Sequence, residues 1–153
     1  MKTSSFIASL RLSFLTLAGL LIASTTAHAE TDHAGPNGGR VLPAEPQAVE
    51  FFVDAERHAV LTALDAAGNA VSAQGAQITV IAETADGRVT PELVATEHGF
   101  RSAAPLPAAT PYRVIVQVRA EPGARPQNFR LDLELHECGE CKLAEYACIC
   151  EGH

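Results

Sequence analysis

The sequence predicts an all-β protein: a small immunoglobulin-like β-sandwich of about seven strands, followed by a short cysteine-rich C-terminal tail. Three observations carry this. Apolar residues in the middle of the chain recur with a period of two, the mark of strands with one wet face. Each such run is bounded by Gly, Pro, Asn or Asp. Beyond residue 30, no stretch holds a helical period for long.

Lys2 and Arg11 precede an uncharged apolar run from Leu12 to Ala23. Small residues follow, and Ala27-His28-Ala29 has the A-x-A form of a signal-peptidase site. The run is shorter than the ~20 residues that span a bilayer. Residues 1–29 are therefore expected to be a signal peptide. The expected mature chain starts near Glu30, is exported to the periplasm or secreted, and does not insert in the membrane after cleavage. An Ala-rich, Trp-free composition fits a bacterial periplasm.

The formal net charge of the whole chain is −7. Losing residues 1–29 removes two basic residues and no acidic ones, so the mature chain is more acidic still. That excludes nucleic acid as a partner and suits a protein that handles cations. The chain's one Met is Met1, so a thioether Cu(I) site is ruled out.

The β-domain is expected over 30–136. Pro36-Asn37-Gly38-Gly39 reads as a turn that launches the first strand. Runs 48–53, 60–64, 76–82 and 112–119 alternate, as does the series Phe129, Leu131, Leu133, Leu135. Two weaker runs, 92–96 and 99–103, flank Glu97-His98 as a hairpin. Asp65-Ala66-Ala67-Gly68-Asn69 and Ala85-Asp86-Gly87 supply turns. Pro105, Pro107 and Pro111 fall in one connection, with Pro122 and Pro126 in the next, where the loss of a backbone donor protects sheet edges.

The segment His33-Ala34-Gly35-Pro36-Asn37-Gly38-Gly39-Arg40-Val41, followed by a strand ending Glu50-Phe51-Phe52-Val53, resembles periplasmic modules associated with heavy-metal efflux systems. Those modules carry His-Gly-Gly-x-Val, a strand, and a turn like Asp65-Ala66-Ala67-Gly68-Asn69-Ala70-Val71. The likeness covers roughly the first half of the mature chain. It implies a β-sandwich in metal homeostasis. The family's histidine position is Asn37 here, and the nearest imidazole is His33.

All four cysteines fall in the tail, 137–153, as Cys138-Gly139-Glu140-Cys141 and Cys148-Ile149-Cys150. A C-x-x-C turn sets two sulfurs on one side of a tight loop, as zinc sites require. C-x-C is commoner where thiolates hold Cu(I) or several ions. The candidate ligands for zinc or Cu(I) are Cys138, Cys141, Cys148 and Cys150, with His136, His153 and His33 as additional candidates. A straight helix between the pairs would part Cys141 and Cys148 by about 10 Å. The segment is therefore expected to make a short helical turn and reverse at Ala147, with Leu143 and Tyr146 docked on the sandwich.

Two other classes stay open on the sequence. An exported chain with an even cysteine count suits two disulfides, which would make this a structural or adhesion module with a stapled tail. Against that, the rings closed would be short and would add little stability. Glu137, Glu140, Glu145 and Glu151 also surround the sulfurs with a field that attracts cations. A thiol-disulfide redox protein ranks lower, because no βαβ unit surrounds the C-x-x-C and the acidity opposes a reactive thiolate. No nucleophile elbow, H-E-x-x-H or phosphate loop occurs, so no enzyme is expected.

Overall fold

The structure is a computed structural model that describes residues 33–73 and 75–150. The expected signal peptide and His153 lie outside the described residues. Among the described residues ten strands form: β1 (Arg40–Leu42), β2 (Ala48–Val53), β3 (Ala59–Leu64), β4 (Ala70–Val71), β5 (Gln77–Thr84), β6 (Gly87–Val89), β7 (Leu93–Ala95), β8 (Gly99–Ser102), β9 (Tyr112–Arg119) and β10 (Gln127–Leu133). Among the described residues the only helical element is a 3-10 turn, Glu145–Ala147, and no helix is long and apolar enough to cross a membrane.

One sheet runs β1-β2-β3-β8-β7, with β4 also paired to β3, and the other runs β10-β9-β5-β6. Every pairing is antiparallel. Taking β2, β3, β8 and β7 as A, B, E and D, and β10, β9, β5 and β6 as G, F, C and C′, the order is that of an immunoglobulin-type sandwich. The all-β sandwich expected from the alternation is therefore what forms. The longer strands coincide with the alternating runs. The additional strands, β1, β4 and β6, have two or three residues each, too few to show a period.

The core lies between the sheets. Val49, Phe51 and Val53 of β2 meet Val80 and Ala82 of β5 and Val114, Val116 and Val118 of β9 within one buried cluster. Tyr112 opens β9 at the connection from β8, and its hydroxyl donates to the Pro107 carbonyl at 3.0 Å. This is the tyrosine-corner arrangement of immunoglobulin-like sandwiches, and burial pushes the Tyr112 phenol's pKa up. Leu106 in the same connection is buried, and the Arg57 guanidinium donates to the carbonyls of Leu106 and Pro107.

Alternation turns Glu50 away from this core, yet Glu50 is fully buried. The glycine-rich loop before β1 folds over the outer face of the sheet and encloses its carboxylate. Asn37 N–H and Gly39 N–H donate to Oε1 at 2.9 and 2.8 Å, and the Asn37 side-chain amide donates to Oε2 at 2.7 Å. The loop composition follows from this enclosure. A Cβ at Gly35 would stand 2.4 Å from the Glu50 carboxyl carbon, and one at Gly39 would stand 2.4 Å from the Phe51 carbonyl oxygen. Gly38, at φ +82°, makes the left-handed step of the turn.

The tail packs on the same body. After β10 the chain returns antiparallel to itself, with Glu137 bridged to Ala144. Glu145 N–H donates to the His136 carbonyl and Tyr146 N–H to the Glu134 carbonyl. Tyr146 and Ala147 join the core cluster. The Tyr146 ring meets Phe51 edge-on at 5.7 Å, and its hydroxyl accepts the Val53 N–H at 3.0 Å. Leu143 sits against the Gly38 turn. The tail thus bridges β10 of one sheet and β2 of the other.

Candidate metal centre

The first pair of cysteines is set by a tight reversal. Cys138 N–H donates to the Leu143 carbonyl at 2.7 Å, and Lys142 N–H returns to the Cys138 carbonyl at 3.2 Å. Closing this loop puts Lys142 at φ +63°, a left-handed conformation that costs a side-chain-bearing residue roughly 1–2 kcal/mol. The chain accepts that cost where it turns the C-x-x-C. The expected short helical turn is present as Glu145–Ala147, and the chain leaves it extended at Cys148 (φ −58°, ψ 136°). The main reversal, however, lies at 138–142 and not at Ala147. The backbone bonds to His136 and Glu134 hold residues 145 and 146 beside the end of β10, so the second pair is carried back to the first.

The four sulfurs converge, all within 4.8 Å of one another. Cys138 and Cys148 stand 3.4 Å apart, Cys141 and Cys148 3.7 Å, and Cys138 and Cys150 3.9 Å. A tetrahedral ion with metal–sulfur bonds of about 2.3 Å has sulfur–sulfur edges of about 3.8 Å. The four side chains are free thiols held at the spacing of a tetrahedral donor set. Cys138 and Cys148 are buried, while Cys141 and Cys150 are half-buried.

Backbone donors point at these sulfurs. The N–H groups of Leu143 and Ile149 pull the Cys141 thiol down to about 6, against a smaller opposing effect of burial and with help from the thiols of Cys148 and Cys138. Cys150 N–H donates to the Cys148 sulfur at 3.4 Å. That bond lowers the Cys148 pKa, but burial and the neighbouring thiols of Cys138 and Cys141 outweigh it, and the net shift is upward. Cys150 is pushed up by the sulfur of Cys148, by burial, by Cys141 and Cys138, and by the Glu140 carboxylate. The Cys141 thiol is thus held low while those of Cys148 and Cys150 are held up, because thiolates at these distances repel. A bound cation supplies the missing countercharge, and its binding would release protons. The donors are soft and convergent, close enough together to hold one metal ion.

Among the described residues, the candidate histidines His136 and His33 lie outside this group. The His136 ring faces carboxylates, with Nδ1 3.6 Å from Glu134 and Nε2 3.8 Å from Glu145. His33 is exposed and lies beside Gly68 in the β3–β4 turn. Asn37, at the resemblance's histidine position, spends its side chain on Glu50 and Thr62.

Several supporting contacts are not legible in the sequence. Arg40 donates from Nη1 to the Cys148 carbonyl at 3.1 Å, anchoring the second pair to β1. The N–H groups of Leu143 and Ile149 act through the backbone, which no side-chain pattern announces. Comparison with known protein families, curated proteins and solved structures found no match to this chain.

Proposed function

We propose that this is an exported metal-binding protein that sequesters or delivers zinc or Cu(I), serving a heavy-metal efflux system. The observation that carries the reading is the convergence of Cys138, Cys141, Cys148 and Cys150 within 4.8 Å. Tetrahedral four-sulfur coordination suits zinc best, and the same soft donors take Cu(I). Export is supported by the charged, apolar, A-x-A order of the first 29 residues. The efflux connection is supported by the resemblance of the segment 33–41 and by the acidic balance of the chain.

Mature protein purified anaerobically should carry four alkylatable thiols and bind one equivalent of zinc. Cobalt(II) in its place should give the absorption of a tetrahedral thiolate complex. Replacing Cys148 and Cys150 together by Ser removes two of four ligands. If each ligand contributes a quarter of the ~10–16 kcal/mol typical of structural zinc, affinity should fall by about four to six orders of magnitude. The β-sheet circular dichroism should persist. Two disulfides in natively isolated protein with no metal uptake, or an unchanged affinity in the double variant, would refute the proposal.

A further inference from the structure

The four sulfurs are not equivalent, and the difference gives the site an inside and an outside. Cys138 and Cys148 are 4% and 5% exposed, while Cys141 and Cys150 are half-buried. The inner pair is also tied to the chain around it, Cys138 through the tail hairpin and Cys148 through β1 of the sandwich. Cys138 N–H is bonded across the hairpin to the Leu143 carbonyl. Cys148 follows directly on buried Ala147, and its carbonyl is held by Arg40 of β1. The outer pair is tied mainly to the site itself. Cys150 donates its N–H to the Cys148 sulfur, and the Cys141 sulfur takes the N–H groups of Leu143 and Ile149. Ile149, between the two ligands of the second pair, is 39% exposed and presents an apolar side chain at this rim.

Resting on the metal-binding reading above, we infer that the ion is handed over through the Cys141–Cys150 face, to an acceptor that attacks with its own thiolate. The incoming thiol gives up a proton as its sulfur bonds the ion. The bond from the ion to the Cys150 sulfur breaks, and the released Cys150 thiolate takes up a proton, so charge and protons balance and no electron moves. Cys138 and Cys148 hold the ion from the buried side during the exchange. The acceptor this face fits is a cysteine-bearing peptide or protein segment with apolar residues beside the sulfur, which Ile149 would meet.

The test uses mature protein loaded with one equivalent of zinc. Uptake is measured first, and a protein that takes up no zinc fails the metal reading together with this inference. On loaded protein, limiting N-ethylmaleimide followed by tandem mass spectrometry should show Cys141 and Cys150 modified about tenfold or more faster than Cys138 and Cys148, since thiolate exposure governs reactivity. Zinc transfer to a synthetic Cys-x-x-Cys peptide should then proceed at a rate that rises with peptide concentration. Cys150→Ser should speed that transfer by about tenfold or more, because the variant presents the three-ligand state that exchange must pass through. Zinc bound but alkylated evenly, or transferred at a rate independent of peptide concentration, overturns the exchange face and leaves the binding site standing.

Discussion

The loop over Glu50 and the loop around the cysteines are neighbours, with Leu143 of one against Gly38 of the other. They address the same problem in opposite ways. Each aims backbone N–H groups at acidic side chains close to the sandwich. Around Glu50 the donors match the charge: one carboxylate receives two backbone N–H groups and a side-chain amide. Around the cysteines the donors reach two of four sulfurs, Cys141 and Cys148. The first loop is electrostatically complete without a ligand. The second would be completed by a cation, which is what would separate a structural anchor from the proposed binding site built from the same parts.

Removing the anion from the complete loop should have the largest effect on folding. Glu50→Ala leaves the Asn37 and Gly39 N–H groups without their acceptor and opens a hole beneath Gly35. Such a loss should cost about 3–5 kcal/mol, the scale of breaking a buried charged network. Denaturant midpoints for wild type and variant measure it. The contrast with the cysteines is the sharp part, because the Cys148→Ser, Cys150→Ser double variant should cost the metal-free protein far less. Equal losses in the metal-free state would mean that both loops are structural.

The two loops also differ in how far they could be read from sequence. The alternation of β9 and β10 and the two cysteine pairs were legible because their signals are local: a period of two, and ligands within sixteen residues. Glu50 was not legible. It occupies an outward position on β2, where a charged residue ordinarily meets water, and only the loop arriving from 35–39 buries it. Pro36-Asn37-Gly38-Gly39 could be read as a turn, but not as a turn that encloses a carboxylate. For the tail, the need to bend back was clear from helix geometry. The place of the bend was not, because the backbone bonds to Glu134 and His136 that fix it join residues nine to twelve apart through no side chain.

Tyr146 joins the two regions, and its removal should have an intermediate effect. Its hydroxyl accepts the Val53 N–H at 3.0 Å, and burial, with a smaller contribution from the Glu50 charge, pushes its pKa up to about 12. Tyr146→Phe keeps the edge-on packing against Phe51 but leaves the buried Val53 N–H without its acceptor. The expected loss is about 1–3 kcal/mol. Hydrogen exchange at Val53 should accelerate in the variant, and zinc affinity should fall less than for any cysteine change. An unaltered exchange rate at Val53 would detach the tail from the sheet's hydrogen bonding.

Asp54 offers a third way to hold an anion, by a guanidinium, and the smallest expected effect. Burial alone would raise its pKa. The His58 N–H at 2.7 Å and the Arg101 guanidinium at 2.7 Å outweigh that and hold the carboxyl below its ordinary 3.8. A folded-state pKa below the unfolded one stabilises the protein above the unfolded value, and the contribution is lost as pH falls through the folded value. Arg101 is 41% exposed, so solvent screens the pair, and its removal by Arg101→Ala should cost no more than about 1 kcal/mol at neutral pH. The gap between wild type and Arg101→Ala should be full at pH 7 and at pH 5, and should narrow below about pH 4, near the unfolded carboxylate value. Added salt should narrow it as well, whereas it should leave the cost of Glu50→Ala nearly unchanged, since the Glu50 carboxylate is sealed from the solvent that carries the ions. A gap at Arg101 that ignores both pH and salt would assign that side chain a packing role and leave the backbone donors around Glu50 as the device that holds an anion here.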